Sequence, residues 1–278
     1  MNSQHYRQVV EIRPSKGLFD LELGLVWQYR ELLYFLLMRD LKVRYKQAAL
    51  GAGWAIIQPI IATLIFTLVF GVFVKVPSDG LPYTVFAFTA LLPWTLFAES
   101  LRRGGISLVG DSALIQKIYF PRLVIPLATA LTALVDFLIS LLMLFVLLLW
   151  YSIPLTLNIV FLPFFIFFTV VLAFSFGLWL GPLNIKFRDV QHIIPFLLQI
   201  WMYACPIVYP LSIIPEKYRW LYNLNPMVGV IEGFRWSLLG KENAEFQAIW
   251  ITVIFVLLLL FGGVVYFKKM ERSFADLI

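Results

Sequence analysis

Ionisable side chains are scarce in this chain, so each one inside an apolar stretch marks a place for chemistry or for a specific contact. Asp136 stands out, about midway along a run from Leu123 to Tyr151 that carries no other charge. An acid at the centre of a membrane helix costs about 2.5–3.5 kcal/mol on insertion scales, so it must face a partner or a water-filled space. Such a carboxylate can line a transport path or carry a proton, and it can equally bond to a neighbouring helix; the sequence leaves both readings open. Glu99, Arg102 and Arg103 stand at i, i+3 and i+4, the spacing of a helical ion-pair cluster. A third set, Arg39, Lys42, Arg44 and Lys46, follows the short apolar run Leu32 to Met38. At 100° per residue Tyr34, Leu37, Met38, Leu41 and Tyr45 share one side of a helix, and Arg39, Lys42 and Lys46 share an adjacent one. This describes a helix lying in a membrane interface, its basic side toward lipid headgroups or a partner.

Several chemistries have no residues to carry them. No G-x-x-x-x-G-K-[ST] loop occurs, and the Gly240-Lys241 pair is followed by Glu242, so the polypeptide is not expected to hydrolyse nucleotide itself. No G-x-S-x-G elbow or H-E-x-x-H helix is present. The single cysteine, Cys205, cannot form an internal disulfide, and His5 and His192 lie too far apart for a spaced metal motif. A membrane-embedded glycosyl- or acyltransferase would rest on scattered carboxylates, and an ion-coupled symporter on Asp136 alone.

The elements that position these groups follow from composition. Of 278 residues, 61% are hydrophobic and 14% charged, well below the ~25% charged of a soluble domain. Low charge with high hydrophobicity also excludes a disordered chain. A membrane helix needs about 20 mostly apolar residues, and the uncharged runs supply six candidates. These are Leu50 to Val74, Leu81 to Ala98, Leu123 to Tyr151, a fourth inside Ser152 to Ile185, Ile193 to Ile214, and Phe246 to Phe267. All exceed the roughly 10 alternating residues of a membrane barrel strand. With the amino terminus inside, only Lys75, Lys217, Arg219, Arg235 and Lys241 fall on the outer side, leaving 17 of the 22 basic residues inside. Cytoplasmic loops retain Lys and Arg, so both termini are expected in the cytoplasm. The net +6 then reports orientation and anionic lipid, with no nucleic-acid partner. Arg7 to Arg30 is charged and contains no short apolar segment with a cleavage site, so no cleaved signal peptide is expected.

Two segments are neither spans nor simple turns. Residues 102–122 contain Gly104, Gly105 and a Gly110-Asp111-Ser112 turn, and Ala113 to Ile118, with Gln116 and Lys117, reads as a short cytoplasmic helix. Residues 213–242 read as two short helices on the outer side: Pro215 and Glu216 through Asn223, then a second opened by the Asn225 cap and Pro226 and stopped by Gly240. In the second, Met227, Val230, Ile231, Phe234 and Leu238 recur at helical spacing. Such helices can dip into the interface because their backbone bonds are satisfied internally. The organisation is therefore an interface segment 1–49, a helical transmembrane region 50–268 and a cytoplasmic tail 269–278.

The run Arg39-Asp40-Leu41-Lys42-Val43-Arg44-Tyr45-Lys46, then Leu50-Gly51, Trp54 and Gln58-Pro59, resembles the start of permeases of type-2 ABC exporters for cell-surface polysaccharides. The likeness continues through Phe120-Pro121-Arg122-Leu123, Phe187-Arg188-Asp189-Val190, Cys205-Pro206-Ile207-Val208-Tyr209 and Leu224-Asn225-Pro226-Met227, with Glu232 and Arg235. It covers roughly Leu32 to Lys269. The resemblance implies an all-α integral membrane protein of the bacterial inner membrane, with six transmembrane helices, an N-terminal amphipathic interface helix and outer re-entrant helices. It implies a homodimer with two copies of a separate ATPase subunit, which would bind ATP and Mg. The implied cargo is O-antigen on an undecaprenyl pyrophosphate carrier, with teichoic acid or capsular polysaccharide as the alternative. By position, Arg39 to Lys46 corresponds to the interface helix, Gly104 to Lys117 to the segment that couples to the ATPase, and Pro215 to Gly240 to the re-entrant helices.

Overall fold

A computed structural model describes residues 23–46, 53–240 and 246–274. Among these residues every regular element is helical. A short α1 (Leu23–Gln28) leads into α2 (Arg30–Lys46), which has Glu31 in its first turn and Arg44 and Lys46 in its last, charges that complement the helix dipole. Next comes α3 (Gly53–Phe66), which widens into a π-helical stretch, Thr67–Phe73. Pro59 has no N–H to offer the Ala55 carbonyl, and the Ser140 hydroxyl donates to that carbonyl instead, at 3.5 Å. Then follow α4 (Tyr83–Gly110), α5 (Ser112–Lys117), α6 (Val124–Trp150), α7 (Leu162–Lys186), α8 (Val190–Tyr203), α9 (Glu216–Asn223), α10 (Pro226–Leu239) and α11 (Phe246–Glu271).

The bundle is organised around α4. Of its most apolar stretch 78% is buried, against 6% for α3, so α4 is the axis and α3 a peripheral helix. Close approach of α4 to α7 depends on small residues: a Cβ on Gly104 would lie 3.7 Å from the Gly177 Cα, and Gly181 lies against Leu108. Small residues let helix backbones approach in this way. On the opposite side α10 lays Gly229 on Thr252 and Ala248 of α11, and Gly233 on the Phe165 ring of α7.

Five helices among the described residues are long and apolar enough to cross a membrane: Gly53–Phe73, Tyr83–Gly110, Val124–Trp150, Leu157–Lys186 and Gln247–Glu271. Four of the expected spans are recovered with small shifts of boundary, and a fifth, Leu81 to Ala98, is recovered in a longer form. That helix does not stop at Ala98 but continues through Glu99, Arg102 and Arg103 to Gly110. Glu99 pairs with both arginines on one face, and Gly104 and Gly105 are buried within the helix rather than opening a loop. Ile193 to Ile214 does not form one long helix. Its α8 has 14 residues, about 21 Å, and the chain then turns through Ala204 to Tyr209, where Cys205 and Ile207 are buried. An uncharged run records length but not the turns that Pro206 and Pro210 impose.

The apolar side of α2 also differs from expectation. Leu36 is its buried residue, packed with Leu108, Ile115, Phe120 and Phe267, while Tyr34 is exposed. The helix is held by the bundle on one side rather than lying wholly on a membrane surface.

Candidate functional site

The charges form one connected cluster. Arg44 of α2 reaches Asp136 of α6, which also accepts a hydrogen bond from the Tyr45 hydroxyl. Arg44 lies 3.6 Å from Glu99 of α4, and Glu99 in turn binds Arg102 at 2.9 Å and Arg103 at 3.3 Å. The side chains of Arg44, Glu99 and Asp136 are 25%, 28% and 16% exposed, so the cluster is half-buried and open on one side. That side is a cavity of about 210 Å³ between α3, α4 and α6, which Arg44, Glu99 and Asp136 line together with Trp54, Gln58 and Trp94. Along the helix axes Asp136 lies about 21 Å from Trp150, and Glu99 about 24 Å from Tyr83. The cluster thus lies toward the end of the bundle that carries α2 and α5. Burial lowers the Arg44 pKa, yet a guanidinium at an exposed edge stays protonated, so the site presents a fixed cation.

A second contact ties α2 to the start of α5. Arg39 donates to both carboxylate oxygens of Asp111, at 2.6 and 3.0 Å, and to Asp40 at 2.9 Å. Two parallel N–H to oxygen bonds are the strongest arrangement for this pair, and donation to Asp111 raises the Arg39 pKa. Asp111 precedes α5 as its cap residue but makes no side-chain cap bond, because Arg39 occupies its carboxylate. Gln116 and Lys117 lie exposed at the end of α5.

At the opposite end, Asn225 caps α10 by accepting from the Met227 N–H at 3.1 Å and also accepts from the Trp201 indole at 2.9 Å. Gly240 ends α10 in the left-handed conformation, φ 66°. Glu232 and Arg235 are both 1% exposed and pair at 3.0 Å. The Arg235 guanidinium also donates to the Ile207 carbonyl at 3.3 Å and lies 3.7 Å from the centre of the Phe86 ring. This pair anchors α10 to α4 and to the turn after α8.

Residues 31–239 match the family described as ABC-2 type transporter. The chain belongs to this family. It is 30% identical over 249 residues to the O-antigen export system permease protein RfbA of Klebsiella pneumoniae, covering 89% of this chain and 95% of that one. It is likewise 30% identical over 256 residues to the protein of the same name from Myxococcus xanthus, covering 91% and 97%. The polysialic acid transport protein KpsM of Escherichia coli is 27% identical over 245 residues, covering 86% and 93%.

In this ABC-2 permease, then, the residues singled out by sequence fall into three places. Arg44 and Asp136 meet at the cluster, whereas Arg39 is turned away from it to Asp111. Lys42 and Lys46 remain exposed, so the expected basic stripe is split between solvent-facing lysines and arginines that face protein. Gly104 and Gly105 are buried in α4, at its contacts with Gly177 and Ile194, while Asp111, Gln116 and Lys117 mark the start and end of α5. Glu232 joins Arg235, but Glu216 stands apart, exposed in the first turn of α9. Sequence reasoning did not single out Tyr45 as a partner for Asp136, or Thr95 and Ser140 as cavity residues. No signal of charge or spacing marks them; they are drawn in because α2, α4 and α6 converge.

Proposed function

We propose that this permease is the membrane-spanning subunit of an ATP-driven exporter that moves a polysaccharide, built on an undecaprenyl pyrophosphate carrier, across the bacterial inner membrane. The observation that carries this reading is the near full-length similarity to permeases named for O-antigen export. The similarity to KpsM supports a second cargo, a capsule-type polysaccharide, on the same machinery. Two copies of the chain pair with two copies of a separate ATPase, which binds ATP and Mg, since the chain itself has no phosphate-cradling loop. Both termini lie in the cytoplasm, so α2 and α5 face the ATPase. The buried turn after α8 completes a sixth crossing, and α9 and α10 re-enter from the outer side.

The geometry gives this reading a mechanism. A push on α5 reaches α2 through Arg39 and Asp111 and reaches the far side through α4, which is continuous from Gly110 to Tyr83. Packed helices move as rigid bodies, so α4 and the anchored α10 shift together at the outer end. Fixed cations at the inner end favour an anionic pyrophosphate head. Deletion of the ATPase partner, or joint replacement of Arg39, Lys42 and Arg44 by alanine, leaves glycan inside the cell. Normal surface glycan without the ATPase would overturn the proposal.

A further inference from the structure

Arg122 belongs to none of the charged clusters above, yet it joins two segments that are far apart in the chain. It lies in the Phe120-Pro121-Arg122-Leu123 link between α5 and α6. Its guanidinium donates to the Glu271 carbonyl at the end of α11 and lies 5.5 Å from the centre of the Phe274 ring. The last carbonyls of a helix have no partner within it, so Arg122 serves as a side-chain cap for α11. Beyond Glu271 the chain bends back: the N–H and hydroxyl of Ser273 both donate to the Met270 carbonyl, at 2.9 and 2.8 Å. The bend carries Phe274 inward, where it is 0% exposed and meets the Phe267 ring edge-on, with centres 5.5 Å apart. Both rings join a cluster that includes Leu36 of α2, Ile115 of α5 and Phe120 of the link.

We infer that Arg122 and Phe274 are positioning residues for α5, clamping its junction with α6 onto the end of α11. The inference rests on the reading of α5 as the element that faces the ATPase. A six-residue helix does not hold its own shape, and α5 buries only Ile115. Its place is therefore set from its two ends. Arg39 grips Asp111 at the start, and the Arg122 contact fixes the link that follows its last residue, Lys117. With both grips closed, a displacement of α5 passes to α2, α6 and α11 together. With the second open, the link absorbs the displacement and α6 stays behind. Packing alone does not call for these residue types. An aliphatic side chain at 274 would fill the same space, and an apolar one at 122 would avoid desolvating a charge. A planar cation, by contrast, bonds a carbonyl and lies against an aromatic ring at once, which holds the link in one register.

The test uses the full-length permease in lipid nanodiscs, with and without its ATPase partner, carrying a nitroxide on Lys117→Cys. The native Cys205 is buried, which leaves the label to the introduced thiol. In the otherwise wild-type chain the label should be restrained, and the ATPase should restrain it further. Phe274→Leu, which keeps the apolar volume, and Arg122→Gln, which removes the cation, should each raise the mobile fraction of the label about fivefold, the shift expected from losing one cation–π contact. Glycan exported per ATP hydrolysed should fall by a similar factor, while affinity for the partner stays within about twofold. Arg122→Lys, which keeps a cation over the ring, should recover most of the loss, and Arg272→Gln, exposed in the same turn, should change nothing. A lower unfolding midpoint with an unmoved ratio of export to hydrolysis would reduce the pair to packing and overturn the inference. So would unchanged label mobility in Phe274→Leu and Arg122→Gln beside a normal response of the wild type to the ATPase. No response of the wild-type label to the ATPase would instead overturn the reading of α5, and the purpose of the clamp with it. Should the variants fail to fold, hydrogen exchange on the wild-type complex decides the matter. ATP should change exchange in residues 112–122 and 268–274 together, and a change confined to 112–122 would overturn the clamp.

Discussion

Arg44 and Asp136 show how a single charge in an apolar chain acquires its setting. Removing one partner of a fully buried ion pair costs about 3–5 kcal/mol because the other charge is left uncompensated. Here both side chains keep some exposure, and each retains another neighbour, Glu99 for Arg44 and Tyr45 for Asp136. Arg44→Gln or Asp136→Asn alone should therefore cost about 1–3 kcal/mol, and the double substitution should cost less than the sum by about 0.5–3 kcal/mol. Denaturant unfolding of the purified chain in detergent measures this; strict additivity would show that the contact carries no coupling. At the other end, Arg235→Lys keeps the charge but loses the planar stacking on Phe86 and the fork that reaches both Glu232 and Ile207. Arg and Lys are not interchangeable at such a site, and a loss of about 1–3 kcal/mol is expected, read as a lower midpoint of thermal unfolding. Sequence made both arginines visible, Arg235 as a charge among apolar residues and Arg44 as a member of a basic run. It did not reveal their partners, because Arg44 and Asp136 are brought together only by the crossing of α2 and α6.

For whole elements, glycines separate helix contacts that tolerate a methyl group from those that do not. A Cβ on Gly104 would meet Gly177 and Thr129 at 3.7 and 3.8 Å, ordinary contact distances, and alanine in a helix interior is more favourable than glycine by about 0.5–1 kcal/mol. Gly104→Ala should be neutral or slightly stabilising. A Cβ on Gly233 would fall 2.1 Å from the Phe165 ring, and that ring is itself buried beside Phe234, Trp236 and Phe164. It has no free direction to move, so Gly233→Ala should cost about 1–3 kcal/mol through overpacking. Thermal unfolding of the two variants side by side checks the ordering, and a reversed order would refute this account of the α10 to α7 contact. The same contrast explains which elements were legible. The ends of α9 and α10 were readable because Pro215, Asn225, Pro226 and Gly240 act locally on the backbone. The length of α4 and the shortness of α8 were not: the first depends on Glu99 pairing with Arg102 and Arg103 along the helix, the second on a turn whose buried Cys205 and Ile207 look like any other apolar residues in a hydropathy count.

The sequence as a whole has an asymmetry of charge that predicts a direction. Seventeen of its 22 basic residues belong to the segments expected inside, and the five others to the segments expected outside. Chemistry on an exposed thiol tests this orientation with little background, since Cys205 is the only cysteine and is 0% exposed. Lys117, at the end of α5, and Lys217, in the first turn of α9, are both exposed and lie at opposite ends of the bundle. In spheroplasts treated with a membrane-impermeant maleimide, Lys217→Cys should label and Lys117→Cys should not. Permeabilising the membrane should expose the second, and adding the ATPase partner should protect it again, because α5 is the element the partner would cover. Labelling of Lys117→Cys from outside would reverse the orientation and with it the direction of export. Labelling of both from outside would mean that α5 is not on the face opposite α9, which five long helices with a broken sixth could produce only if the turn after α8 fails to complete a crossing. The experiment thus tests two claims at once, the direction set by charge and the parity set by α8, and the pattern of labelling separates them.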